Sequence, residues 1–249
     1  MTTQHLTGTN AVVTGASRGL GRGIATALHQ AGAHVVGVAR EASSLDELQA
    51  QLGERFTPVA ADATDPTTAG QLIDAYRPRI LALVAGARPL SRPLHQHTWE
   101  TFSHNWEVDV KHAFHWIREA LLRPLEPGSV VIAMSSGAAV RGSALSGGYA
   151  GAKATIRFAA GYAQDESDRA GLGIRFLSVL PQLTPATELG AIAVAAYAAR
   201  AGLDVPAYTS QLGPALTPEM AGKSFVELAT DPQLTGSFML TAGGLAPAP

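Results

Sequence analysis

The stretch Ala11-Val12-Val13-Thr14-Gly15-Ala16-Ser17-Arg18-Gly19-Leu20-Gly21 decides the fold. Val12 and Val13 are apolar and β-branched, as a strand buried in a parallel sheet requires. Ile24-Ala25-Thr26-Ala27-Leu28, just beyond, reads as a helix. Between them, Gly15, Gly19 and Gly21 permit a tight turn and a close approach of backbone to ligand. Amides at the start of the helix can then hold a pyrophosphate. Glycines are common in loops. A trio set between a strand and a helix is much more specific.

The same alternation continues outward from this turn. Strands are expected over 11–14, 34–39, 56–61, 80–84, 129–134, 174–180 and 237–241. Helices are expected over 20–31, 44–52, 66–76, 99–122, 149–170, 188–201 and 217–229. Alternating elements build right-handed βαβ units, hence an α/β fold: a doubly wound parallel sheet of about seven strands with helices on both faces. No linker, compositional break or internal repeat divides the chain, so residues 1–249 read as one domain. Residues 183–216, broken by Pro185, Pro206 and Pro214, read as a mobile lid or substrate loop. Ligands of such sheets bind beyond the carboxyl ends of the strands. The glycine loop, Arg40, Asp62, Ala85-Gly86, Ser136 and Pro181 all fall at such ends and point to one shared site.

Composition narrows the class. Hydrophobic residues make up 46% of the 249, enough for a sizeable core. The net charge of −2 offers no basic surface to nucleic acid or an anionic membrane. With no cysteine, disulfides, thiol catalysis and thiolate metal sites are excluded. Met1-Thr2-Thr3-Gln4-His5 has neither a basic start nor an apolar run, so no signal peptide is expected. The apolar run Ala191–Ala199 is far short of the ~20 residues a membrane span needs. A soluble cytoplasmic protein is the expectation.

Tyr149 and Lys153 stand four residues apart, so they share one helix face. A positive charge beside a phenol favours the phenolate, which makes a tuned proton donor. Ser136, thirteen residues earlier, adds a hydroxyl able to hold a carbonyl oxygen. This suits acid–base chemistry at a carbonyl or alcohol. Alone, such a pair is usually a solvated helix face. Here only Lys111, Lys153 and Lys223 are lysines, which makes coincidence a weaker explanation.

Taken together, these motifs resemble the short-chain dehydrogenase/reductase family in its compact single-domain form, over essentially the whole chain. Thr14–Gly21 resembles its cofactor loop, and Ser136, Tyr149 and Lys153 match its catalytic spacing. Leu234-Thr235-Gly236 followed by Gly243-Gly244 is similar to its C-terminal signature. The resemblance implies a single NAD(P)-binding Rossmann domain that moves hydride between a nicotinamide and a carbonyl or alcohol carbon. Tyr149 would protonate the developing alkoxide and Ser136 would hold that oxygen. Lys153 would bind the nicotinamide ribose and tune the tyrosine. The cofactor set it implies is Gly15, Ser17, Arg18, Gly19, Leu20, Gly21, Asp62, Ala63, Ala85, Gly86, Tyr149, Lys153, Pro181 and Thr184. Asp62 would meet the adenine, unless it is only a turn residue.

Val38-Ala39-Arg40 bears on the dinucleotide. Ala39 stands where NAD-binding members carry an acidic residue for the ribose hydroxyls. Arg40 and Arg18 suit a 2′-phosphate, so NADP(H) is favoured over NAD(H), with Glu41 nearby as a counter-indication.

Three departures from the family pattern stand out. The family's Asn-Asn-Ala-Gly after strand four is here Leu83-Val84-Ala85-Gly86. Its fourth catalytic residue, the asparagine of an Asn-Val-Lys-Gly segment, is here Asp109 in Asp109-Val110-Lys111-His112. An ionised aspartate accepts hydrogen bonds but donates none. Its charge would raise the pKa of a neighbouring ammonium or phenol. The expectation is a working but altered proton relay, with Asn105 able to substitute in part; a purely structural Asp109 is the alternative. The family's Pro-Gly after strand six is Pro181-Gln182, and either Thr184 or Thr187 would meet the nicotinamide amide.

His95, His97, His104, His112 and His115 read as a solvated loop and helix face, with no metal. Trp99, Phe102, Trp106, Phe114 and Trp116 read as core or subunit contacts. The resemblance implies a homodimer or homotetramer, and the Ala-rich run 150–163 suits close helix pairing. Residues 87–97, 137–148 and 183–216 imply an apolar ketone or secondary alcohol as small-molecule substrate. Arg88, Arg92 and Arg141 are available to an anionic group. Two other functions compete: a non-redox isomerase or dehydratase on the same scaffold, and a cofactor-binding regulatory protein.

Overall fold

The computed structural model describes residues 6–249; the expectation about a leader at Met1–His5 lies outside the described residues. The strands are β1 (Asn10–Thr14), β2 (His34–Ala39), β3 (Phe56–Ala60), β4 (Ile80–Leu83), β5 (Val130–Met134), β6 (Arg175–Pro181), β7 (Ser237–Thr241) and β8 (Gly244–Pro247). The helices are α1 (Gly19–Gln30), α2 (Ala42–Leu52), α3 (Pro66–Tyr76), α4 (Trp99–Asn105), α5 (Lys111–Leu122), α6 (Ala138–Arg141), α7 (Tyr149–Ala170), α8 (Glu188–Ala201), α9 (Val205–Gln211) and α10 (Pro218–Thr230). One sheet runs in the order β3-β2-β1-β4-β5-β6-β7-β8. Successive strands pair in parallel, except that β8 returns antiparallel to β7.

Among the described residues the sheet therefore has eight strands, where the sequence predicts about seven. The chain turns back at Ala242-Gly243, and Gly244 takes a φ of 100°. Four residues ending in proline carry no alternating pattern, and proline is tolerated on an edge strand.

Alternate strand residues face opposite sides of the sheet. Val13, Val35, Ala82, Ile132 and Leu177 bury against α1, α2 and α10 through Ile24, Leu28, Leu45, Leu48 and Phe225. Val12, Val36, Leu81, Val131 and Phe176 bury against α3, α5 and α7 through Ile73, Trp116, Ile117, Ile156 and Ala160. Helices α1 and α10 approach so closely that a Cβ on Gly23 would lie 2.2 Å from the Pro218 oxygen.

The helix predicted over 99–122 runs unbroken but contains one irregular turn. Between α4 and α5, Trp106–Val110 form a π-helical turn. Such turns insert one residue into a helix and are frequent at functional sites. The strand order reverses between β1 and β4, and that switch point positions the site.

Candidate active site

A cleft of about 970 Å³ opens over the carboxyl ends of the parallel strands. One wall is the glycine loop. Gly15 has a φ of 71°, and a Cβ there would sit 2.9 Å from Ala85 Cα, so side chains are excluded on two counts. A Cβ on Gly21 would lie 2.0 Å from the Gly15 carbonyl oxygen. Helix α1 starts with no side-chain cap, which leaves its first amides free for an anion. Glycines, free amides and an elongated cleft at the switch point fit a dinucleotide.

Lys153 and Tyr149 come from the first two turns of α7, and Ser136 from the end of β5. Lys153 is 4% exposed. Its Nζ donates to the Met134 carbonyl at 3.1 Å and lies 3.0 Å from Asp109 Oδ2. The same Nζ is 5.6 Å from the centre of the Tyr149 ring. Burial pushes the ammonium down, but the Asp109 carboxylate, helped by Tyr149, overcomes this and the net shift is upward. Ser136 is partly exposed at the cleft, and its Oγ accepts from Ala138 N at 3.2 Å. The adjacent Ser135 turns the other way, and its Oγ donates to the Lys153 carbonyl at 2.7 Å, which ties β5 to α7.

Asp109 lies in the π-helical turn and is 1% exposed. Its Oδ1 accepts from Ala87 N at 2.7 Å and from Asn105 Nδ2 at 3.4 Å. Oδ2 faces the ammonium without a well-aligned hydrogen bond, so that contact is chiefly ionic. Asn105 also donates to the Ala87 carbonyl at 2.9 Å. Aspartate and asparagine thus clamp the segment after β4 together.

His112 corrects the sequence reading. It is 1% exposed and lines the cleft, with Nε2 3.0 Å from Thr14 Oγ1. A histidine one turn after Asp109 carries no local mark of burial, because its partner is 98 residues away. Among the aromatics, Trp116 is in the core and donates to the Ala63 carbonyl at 2.8 Å, whereas Trp99, Trp106 and Phe114 are exposed.

At the far end of the cleft stand Arg40, Glu41, Asp62 and Ala63. Asp62 Oδ1 accepts from Thr64 N and Thr64 Oγ1, both at 2.9 Å. The Thr64 amide holds its carboxyl below the usual range. Ser17, Arg18, Leu20, Gly86 and Pro181 also line the cleft. Thr184 is buried, donates to the Leu216 carbonyl at 2.8 Å and accepts from Ala186 N. Thr187 caps α8 by accepting from Gly190 N at 3.1 Å.

Residues 183–216 carry α8 and α9 along the cleft. Two contacts here have no signal in the sequence. Glu188 bridges Arg18 at 3.1 Å and Arg88 at 3.7 Å. Tyr197 Oη lies 2.5 Å from Ser143 Oγ and accepts from Leu145 N at 3.2 Å, joining α8 to the loop after Ser136.

A family profile described as short chain dehydrogenase matches residues 9–197. The chain belongs to the short-chain dehydrogenase/reductase family. This family member is 34% identical over 106 residues to L-xylulose reductase of Homo sapiens, a match covering 43% of each chain. The chain thus matches less than half the length of that relative. It is 30% identical over 248 residues to dehydrogenase/reductase SDR family member 1 of Mus musculus, covering 90% of this chain and 75% of that one. It is 29% identical to carbonyl reductase [NADPH] 2 of Sus scrofa, over 51% of this chain and 53% of that one. Two solved structures from Brucella melitensis share the fold. An SDR glucose/ribitol dehydrogenase superposes with a TM-score of 0.80 at 21% identity, covering 98% and 99% of the two chains. A 3-ketoacyl-(acyl-carrier-protein) reductase complexed with NADH gives 0.74 at 20%, covering 93% and 96%. Members of this family bind NAD(P)(H) and act on small molecules.

Proposed function

We propose that this short-chain dehydrogenase/reductase is an NADP(H)-dependent carbonyl reductase, reversible as a secondary-alcohol dehydrogenase. The buried Lys153 ammonium, gripped by Asp109 and Met134 beside the Tyr149 ring, carries this reading. Bound nicotinamide supplies or accepts the hydride. Tyr149 gives its phenolic proton to the developing alkoxide in reduction and takes a proton from the alcohol in oxidation. Ser136 Oγ donates a hydrogen bond to the same oxygen. Lys153, beside the Tyr149 ring, would offer a proton to the ribose hydroxyls. Asp109 keeps that lysine charged and in place.

The glycine loop and α1 would hold the pyrophosphate, with Ala85 and Gly86 along the nicotinamide half. Arg40, exposed at the end of β2, and Arg18 favour the 2′-phosphate of NADP(H), because no acidic side chain stands at Ala39. The relative in Sus scrofa, carbonyl reductase [NADPH] 2, agrees with that cofactor. Leu145, Leu183, Leu189, Ala193 and Leu212 line the remaining cleft and suit an apolar ketone. Residues 183–216 would act as its lid on a single domain. Trp99, Phe114, Phe158 and Tyr162 are all more than half exposed, which supports a homodimer or homotetramer. A cytoplasmic location is part of this reading; among the described residues no helix is long and apolar enough to cross a membrane. Asp109 is engaged with Lys153 and Ala87, which leaves it unsuited as a free base for isomerase or dehydratase chemistry.

The test is loss of reduced-nicotinamide absorbance on adding a panel of cyclic and aryl ketones. Ketone-dependent oxidation of NADPH, faster than of NADH, is expected. NADPH binding without turnover of any carbonyl would leave a non-redox role, and absence of nucleotide binding would remove the cofactor reading altogether.

A further inference from the structure

His112 has no part in the proton transfer just described, yet it is buried at the switch point between β1 and β4. Thr14, the last residue of β1, accepts from Val84 N at 3.0 Å and Ala85 N at 3.3 Å through its one hydroxyl oxygen. Those two donors fill both lone pairs, so the hydroxyl proton must be given away. The candidates are the Ala82 carbonyl at 3.4 Å and His112 Nε2 at 3.0 Å, and the second is the better acceptor. Nε2 therefore carries no hydrogen, and the ring proton is on Nδ1. The Thr14 hydroxyl thus links His112 on α5 to the Val84 and Ala85 amides of the segment after β4. Burial first, then the Lys153 ammonium, push the imidazole down to about 3, so it stays neutral near neutral pH.

The consequence lies one residue away on each side. Gly15 follows Thr14, and its Cβ position is 2.9 Å from Ala85 Cα, so the glycine loop and the segment after β4 are in contact here. Both line the cleft. We propose that His112 is a positioning residue for the nucleotide: through Thr14 and Ala85 it sets the spacing between the glycine loop and the Ala85-Gly86 segment that would flank it. This rests on the nicotinamide reading above.

Three variants test it. In His112→Leu the bond to Thr14 is lost. In His112→Asn the shorter amide reaches only the place of Nδ1 and does not meet Thr14. In His112→Gln the amide oxygen reaches the place of Nε2 and can still accept from Thr14. NADPH affinity would be read by fluorescence titration, and thermal stability without nucleotide in parallel. Loss of one net hydrogen bond predicts about fivefold weaker NADPH binding for His112→Leu. His112→Gln should recover most of the affinity, and His112→Asn less. Should His112→Leu fail to fold, the ranking of Gln over Asn decides. Wild-type affinity in His112→Leu, or affinity that follows thermal stability alone across the three, would overturn the proposal. A wild type that binds no nicotinamide nucleotide would overturn the cofactor reading instead, a result visible before any variant is made.

Discussion

On the wall of the cleft built from the π-helical turn, α5 and α7, Asp109, His112 and Lys153 are each at most 4% exposed, and each is bonded to backbone, to the Thr14 hydroxyl or to one another. On the facing wall, Arg18, Arg88 and Glu188 meet with side chains at least 54% exposed. Both walls are charged, but the energetics differ. Removing one partner of a buried pair leaves an uncompensated charge and costs about 3–5 kcal/mol. An exposed pair is worth about 0–1 kcal/mol because water and salt compete with it. The first wall is therefore built to hold atoms still, and the second to yield when something enters.

The sharpest way to break that contrast is at the chemistry itself. Tyr149→Phe should lower ketone turnover by about 10²–10⁴-fold, since it deletes the positioned acid. NADPH affinity and melting temperature should be nearly unchanged. A folded Tyr149→Phe protein with wild-type kcat would remove tyrosine from the role proposed.

Next in size is the buried pair. Asp109→Leu should destabilise the fold by about 3–5 kcal/mol in urea unfolding, because Lys153 loses its counter-charge. Asp109→Asn keeps an oxygen for Ala87 N and should fold and remain active. With the carboxylate gone, burial alone pushes the ammonium down, so the alkaline limb of the pH–rate profile should move to lower pH. In the wild type the net shift of Lys153 is upward. Its stabilising contribution is then complete below the unfolded lysine value and is lost only as pH rises through the higher folded one. Stability near neutral pH should accordingly be flat with respect to this group.

On the exposed wall the effects should be smaller. Arg40→Glu should weaken NADPH binding by about 10–100-fold, the cost of losing bonds to a charged group, and leave NADH nearly unaffected. Equal losses for both nucleotides would show that Arg40 does not read the 2′-phosphate. Glu188→Gln should change the unfolding free energy by less than about 1 kcal/mol. It should also tighten nucleotide binding slightly, since Arg18 is released from its partner.

The difference between the walls also explains what could be read in advance. The glycine loop, the parallel strands and the triple of Ser136, Tyr149 and Lys153 are marked by residue type at short spacing. They were legible because periodicity and spacing are local. The partners of Thr14 and Arg18 lie 98 and 170 residues along the chain, and no local pattern announces them. His112 thus looked like any helix-surface histidine. The edge strand β8 was missed because four residues with a terminal proline have no alternation. The π-helical turn was missed because one added residue leaves the apolar pattern of a helix almost intact.

That turn fixes an angular phase. Each residue advances an α-helix by about 100°, so one surplus residue resets the direction of everything beyond it. Deleting a single residue from Trp106–Val110 would rejoin α4 and α5 as one regular helix. Trp99, Phe102 and Asn105 would then keep their bearing only if Ala113, Trp116 and Ile117 gave up theirs. A register shift of one position, without any change of side-chain chemistry, should be enough to take the carboxylate off the ammonium.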